Sequence, residues 1–244
     1  MPQKKCWICN ANANSREHRI KKSVLKNIYK DVSSKKPIFH RRDSEKKRPI
    51  GGFKSKAFKF EPFICNACNN KRTQKADRAW EKLSHFILQN WGIIKGTNAI
   101  YLADVFGENF EENFLQLQLY FAKLLGCKIV ESGIESHLVS LSYSILNETE
   151  NSNLYISFRH CQNSFSENYS VVSDLQVGRI GTREVYMHMF CTFGCFSVDI
   201  IYSESVGEIE LNGALLPSEI HSKIELTKID YPQIQIGSIQ KNDK

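Results

Sequence analysis

A chain of 244 residues is long enough for one large domain or two modest ones, each with its own core. Hydrophobic residues make up 41% of it, yet no apolar run nears the roughly 20 residues that span a bilayer. The opening Met1-Pro2-Gln3-Lys4-Lys5 has no apolar signal segment, so a membrane or secreted protein is not expected and a cytoplasmic one is.

Eight cysteines in a reducing compartment read as thiols or metal ligands rather than disulfides. The net charge of +7 is divided unevenly: residues 1–80 hold 22 Lys/Arg against 6 Asp/Glu, and the rest hold 11 against 20. So basic a third of a chain is an electrostatic footprint for a polyanion, because neutralised phosphates release condensed counterions.

In chain order, Cys6-Trp7-Ile8-Cys9 reads as a metal knuckle with Trp7 and Ile8 packed beneath it, followed by a polar turn over 10–14. Ser15 is placed to cap the next element, and Glu17-His18-Arg19-Ile20 reads as a short extended or early helical stretch. Val24, Leu25, Ile28 and Tyr29 recur at helical spacing and predict a short basic amphipathic helix over 21–30. Over 31–60, Arg41, Arg42, Lys46, Lys47, Arg48, Lys54, Lys56 and Lys59 crowd around Gly51-Gly52, with Phe53, Phe58 and Phe60 interleaved. That composition fits a loop or irregular hairpin along a phosphate backbone, or a plain basic linker.

Cys65-Asn66-Ala67-Cys68 is a second knuckle, and residues 69–91 predict a long helix. Ala76, Ala79, Trp80, Leu83, Phe86, Ile87 and Trp91 lie on one stripe of it. The amides Asn69 and Asn70 and the basic Lys71-Arg72 occupy its first turn, whose dipole end is positive. Residues 109–125 predict a further amphipathic helix. Strands are expected at 128–131, 138–146, 154–158, 185–190, 196–202 and 208–211, a short helix at 216–223, and a polar tail at 237–244. The fold class expected is α+β in two parts: a zinc-bound domain over 1–92, and an acidic α+β domain with a mainly antiparallel sheet over 93–244.

Two CxxC pairs provide the four ligands of a tetrahedral zinc site at Cys6, Cys9, Cys65 and Cys68. Four thiolates leave no position open for water, so the zinc is expected to be structural. His188, Cys191 and Cys195 form a weaker metal pattern; they lie in apolar β-like runs and read as core, as do His160-Cys161 and Cys127.

As a set, Cys6-Trp7-Ile8-Cys9, Ser15-Arg16-Glu17-His18-Arg19-Ile20-Lys21-Lys22-Ser23, Gly51-Gly52, Cys65-Asn66-Ala67-Cys68-Asn69-Asn70-Lys71 and Asp77 resemble the HNH endonucleases of the zinc-stapled ββα-metal type. The resemblance covers roughly residues 6–80. It implies His18 as the general base toward water, a role an imidazole suits near neutral pH. It also implies Glu17 and Asn69 as oxygen ligands of a catalytic Mg2+ or Mn2+, with Asp77 or Asn70 as a further ligand or an orienter of His18. Lys71, Arg72 and Arg19 would then grip flanking phosphates. The implied activity is hydrolysis of DNA to 5′-phosphate ends, with RNA not separated from DNA, in a setting such as phage defence or restriction. The second part would dimerise, dock a partner protein or sense a ligand. The competing expectation is a zinc-knuckle nucleic-acid-binding module without catalysis.

Overall fold

The computed structural model describes residues 4–40, 48–134, 136–161, 170–194, 196–204 and 213–229. The chain is α+β, with a six-stranded sheet in the order β10-β4-β8-β7-β5 and β6 beside β7. The strands are β4 (Leu154–Cys161), β5 (Ser170–Val172), β6 (Gln176–Ile180), β7 (Arg183–Phe193), β8 (Phe196–Ser203) and β10 (Thr227–Ile229). All of its pairings are antiparallel except β10 with β4. Strands β4, β8 and β7 turn Leu154, Ile156, Phe158, Val198, Ile200, Met187, Met189 and Cys191 toward one face at alternate positions, while β8 is buried along both faces and Tyr155 and Ile201 pack with Ala214 on the other side.

Two long helices, α2 (Gln74–Thr97) and α4 (Phe110–Glu131), cover that face. Trp80 of α2 stacks on Tyr120, meets Phe121 edge-on at 5.1 Å and reaches Phe193 of β7 at 5.6 Å. Further along, Trp91 meets His160 and Phe196, and Phe114 of α4 meets Phe158. Helix α4 is buried almost all round, including Gln116, Gln118, Lys123 and Lys128. A helix so enclosed is a central element rather than a surface one. Gln118 is accommodated because its amide donates to the Asn151 and Leu154 carbonyls and its oxygen accepts from the Asn151 N–H.

The N-terminal segments lie against the outer side of these helices. Helix α1 (Lys22–Tyr29) buries Val24, Leu25 and Ile28, three of the positions its spacing predicts, and packs on α2. The basic stretch after it forms a two-stranded hairpin of β1 (Ile38–His40) and β2 (Arg48–Ile50), while Arg41, Arg42, Lys46 and Lys47 lie outside the described residues. One core runs from Cys6 to Leu226. The division expected after residue 92 falls two residues past a kink at Asn90 (φ −109°), where two helical pieces join in α2; the second piece runs to Thr97 and ends on Asn98 in the left-handed region at φ 53°.

Three expected elements differ. Residues 128–131 form the last turn of α4, where Lys128 meets Glu131 one turn on at 3.3 Å. Residues 138–146, which alternate apolar and serine like a strand, form helix α5 (Leu138–Asn147) with Leu141 and Ile145 buried. There, serine hydroxyls bond back to carbonyls three or four residues earlier, as Ser142 does to Val139, which lets the pattern sit in a helix. Residues 216–223 contain a single 3-10 turn, Pro217–Glu219, followed by β9 (Lys223–Glu225), which pairs with β3 (Ala99–Tyr101) next to α3 (Leu102–Phe106). The strand expected at 208–211 and the tail at 237–244 lie outside the described residues. Among the described residues no helix is long and apolar enough to cross a membrane.

One glycine ties the first knuckle to the core. Gly126 of α4 faces the Trp7 indole, and a Cβ there would lie 2.2 Å from Trp7 Cζ2. Alanine gains about 1 kcal/mol over glycine inside a helix, but overpacking of this kind costs about 1–3 kcal/mol. Gly126→Ala is therefore expected to lower the urea midpoint and shift the tryptophan emission. An unchanged midpoint would show that the indole yields freely.

Candidate functional site

Three short segments meet where residues 4–20 return against 58–65. The Ser15 N–H donates to the Ile64 carbonyl at 2.9 Å, the Phe60 N–H to the Glu17 carbonyl at 2.9 Å, and the Arg19 N–H to the Phe58 carbonyl at 2.8 Å. Residues 15–19 thus lie antiparallel to 58–64, with bridges at Ser15–Ile64 and His18–Lys59. The second segment runs directly into the second knuckle. Cys68–Arg72 then forms a single π-helical turn, held by Thr73 donating its N–H to Cys68 and its hydroxyl to the carbonyls of Cys68 and Asn69, before α2 begins. Such wide turns recur at functional sites because they re-aim side chains at a helix start.

The two knuckles bring Cys6, Cys9, Cys65 and Cys68 together, with all four sulfurs within 4.8 Å of one another and Cys9 Sγ 3.6 Å from Cys65 Sγ. A tetrahedron with zinc–sulfur bonds of about 2.3 Å spaces its sulfurs about 3.8 Å apart. The donor set therefore fits zinc or a similar thiophilic ion. The Cys68 N–H donates to Cys65 Sγ at 3.3 Å and Arg72 Nη1 donates to Cys68 Sγ at 3.0 Å, contacts that favour thiolate sulfur. Burial pushes the Cys6 and Cys68 thiols up. At Cys9 burial works the same way, but the Ala11 N–H and the three neighbouring sulfurs outweigh it and bring that thiol down to about 7.

His18 is half-buried beside this staple. Burial is the main reason its imidazole falls to about 4; the Glu17 charge opposes this, and Lys59, Lys21 and Lys22 add to it. The ring is thus neutral at pH 7, and the same shift makes it a weaker base than an ordinary imidazole. Asn69 donates from Nδ2 to Ser15 Oγ at 2.9 Å and to the Arg16 carbonyl at 3.4 Å, which fixes the start of the helix against the His18 segment. Lys71, Arg72, Lys75 and Arg78 are exposed along the first turns beyond the knuckle, with Lys75 paired to Glu148 at 3.1 Å.

Glu17 and Asp77 also come together, but on a lysine. Lys123 Nζ of α4 lies 2.9 Å from Glu17 Oε2, 2.7 Å from Asp77 Oδ1 and 3.1 Å from Thr73 Oγ1, while Asp77 Oδ2 meets Lys21 Nζ at 2.8 Å. Lys123 is 0% exposed and Glu17 2%. Burial alone would push the ammonium down, yet the Glu17 and Asp77 charges outweigh it and hold Lys123 above the ordinary lysine value. Two carboxylates and two ammonium groups leave the cluster without net negative charge, so it does not fit a hard divalent cation that wants anionic oxygen. Of the three expected ligands of such an ion, Asn69 alone is clear of a lysine. Arg19, expected on phosphate, instead forks onto Glu131 through both terminal nitrogens and lies 4.4 Å over the Phe60 ring.

Away from this site, the far face of the sheet carries His188 Nε2 2.6 Å from Asp199 Oδ1 and Arg159 Nε 2.5 Å from Asp199 Oδ2. Cys191 faces the core from the other side of β7, where burial pushes it up to about 12, so it does not join His188. Cys195 and the side chain of Cys161 lie outside the described residues.

Lys123 is the site residue that the sequence motifs missed. The signal was present: between Phe114 and Cys127 it is the single charge in an otherwise uncharged helical run, and a charge there needs partners. No family model, curated protein or solved structure matches the chain, so the geometry itself carries the functional argument.

Proposed function

We propose that the chain is an endonuclease of the HNH type that hydrolyses DNA phosphodiester bonds, with His18 as general base. What carries the reading is the pairing of the His18 segment with the segment that leads into the second knuckle and the Asn69 helix. Two short extended segments and a helix, closed by four thiols, are the parts that the ββα-metal resemblance implies. His18 takes the proton of the attacking water, a step that needs a neutral imidazole. Lys71 and Arg78, exposed beyond the knuckle, meet phosphate together with the basic residues of 22–59.

Mg2+ or Mn2+ belongs to the proposal as an ion of the assay. Glu17 and Asp77 offer it no seat, and no step is assigned to it.

With zinc-loaded protein, supercoiled plasmid and added Mg2+ or Mn2+, nicking is expected in the wild type, and at least 100-fold less in His18→Ala with DNA binding retained. Between pH 7.5 and 5.5 the rate is expected to stay nearly flat, because His18 remains neutral down to about 4. An ordinary imidazole, titrating near 6.5, would lose about tenfold over the same interval. Equal nicking by the wild type and His18→Ala would sink the assignment.

A second reading has its own support. Since both carboxylates are held by Lys123, the zinc-stapled basic segment has the parts of a nucleic-acid-binding module that does not cut. It wins if binding persists and no divalent metal elicits nicking.

A further inference from the structure

We infer that Lys123 is the resident cation of the Glu17–Asp77 pair, and that through it α4 positions the His18 segment. The ammonium meets one oxygen of each carboxylate and the Thr73 hydroxyl, from inside the core rather than from solvent. That makes three donor contacts, the number of N–H bonds an ammonium offers, so its hydrogen-bonding capacity is filled. The Tyr120 ring, 5.7 Å from Nζ, closes another side. The arrangement is a cage built for one positive charge.

The cage also links distant parts of the chain. Glu17 lies in the first extended segment, Thr73 and Asp77 at the start of α2, Lys21 just before α1, and Lys123 in the centre of α4. Glu17 precedes His18, and the Glu17 carbonyl accepts the Phe60 N–H. Anchoring the Glu17 carboxylate therefore fixes the backbone from which the imidazole projects. One corner stays open: Glu17 Oε1 is buried with no hydrogen-bond partner among the described residues. A divalent ion on this pair would have to enter there, against the Lys123 charge. Lys123 is thus a positioning residue, and Glu17 and Asp77 are its counter-ions. The positioning half rests on the role of His18 proposed above; the cation half does not.

Zinc-loaded full-length protein titrated with Mn2+ and followed by electron paramagnetic resonance tests the cation half. Wild type and Glu17→Gln are expected to bind Mn2+ alike. One bound Mn2+ per chain in the wild type that Glu17→Gln removes would overturn the inference, and it does not require Lys123 variants to fold. Heteronuclear NMR is expected to show a protected lysine ammonium signal that disappears in Lys123→Met; its absence from the wild type also counts against the cage.

For the positioning half, Glu17→Gln is expected to lower the nicking rate about tenfold or more at saturating DNA, with the DNA dissociation constant unchanged. Equal loss of rate and affinity would reduce the cage to a purely structural role and overturn this half. If His18→Ala nicks as well as the wild type, the nuclease reading fails while the Mn2+ and ammonium results still stand.

Discussion

Chelating the zinc from the folded protein at pH 7 is expected to unfold residues 4–25 and 58–72 while α2, α4 and the sheet persist. Besides the staple, the first knuckle and residues 15–19 are held by four backbone hydrogen bonds to 58–64, the Trp7 indole against Gly126, the Glu17–Lys123 and Arg19–Glu131 ion pairs and the Asn69–Ser15 hydrogen bond. Structural zinc in knuckle peptides contributes about 10–16 kcal/mol at neutral pH, comparable to the roughly 5–15 kcal/mol that stabilises a whole domain. Losing it outweighs what those contacts return. In the unfolded, metal-free segment the thiols are mostly protonated at pH 7, as ordinary cysteines are, so zinc binding is expected to release about two or more protons per ion. Zinc affinity should accordingly fall as pH drops, and the protein should shed metal in acid before the sheet melts. Hydrogen exchange on the chelated protein and on Cys68→Ser checks this. Unchanged protection of the Ser15 and Phe60 amides after verified zinc loss would show that the segment stands without its staple.

The four-cysteine cluster was legible because the chemistry leaves little freedom: two thiols separated by two residues make one turn, and two such turns offer the four corners of a tetrahedron. Helices α1 and α2 were legible for a related reason, since a stripe at period 3.6 that buries Val24, Leu25 and Ile28, or Ala76, Trp80, Leu83 and Ile87, has no good alternative. Strands β4, β7 and β8 appeared as β-rich runs near their observed places. What misled was local alternation. In residues 138–146 the serines imitate the polar face of a strand, and only tertiary burial of Leu141 and Ile145 decides for a helix.

The site was legible as a set of residues but less so as a set of contacts. Glu17, Asp77 and Arg19 carry charges that the motif assigns to metal and phosphate, whereas the partners they find, Lys123 and Glu131, come from α4, 46 to 112 residues away in sequence. Short motifs describe what one segment offers. They do not describe which buried charge from elsewhere answers it. The expected boundary after residue 92 obscured the same point, since it separated α4 from the segments whose charges it neutralises.

Lys123→Met is expected to destabilise the protein by about 3–5 kcal/mol at pH 7, the usual cost of stranding one partner of a buried ion pair. The methionine fills a similar volume, so little of the loss is cavity. The cost comes from Glu17, 2% exposed, left without its ammonium; Asp77 retains Lys21 and suffers less. Two consequences separate this account from ordinary packing damage. Protonation would discharge the stranded carboxylate, so the deficit relative to wild type should shrink as pH falls from 7 toward 5; a packing defect would not respond. The double variant Lys123→Met/Glu17→Gln should recover most of the loss, because a neutral amide beside a thioether is far cheaper to bury than a bare charge. The coupling energy from the double-mutant cycle should therefore be about 2–3 kcal/mol and favourable in the wild type. Urea unfolding of the four zinc-loaded proteins at pH 7 and pH 5 gives both numbers. A cycle that closes to zero would mean that Glu17 and Lys123 do not depend on one another, and the cage would then be a coincidence of packing.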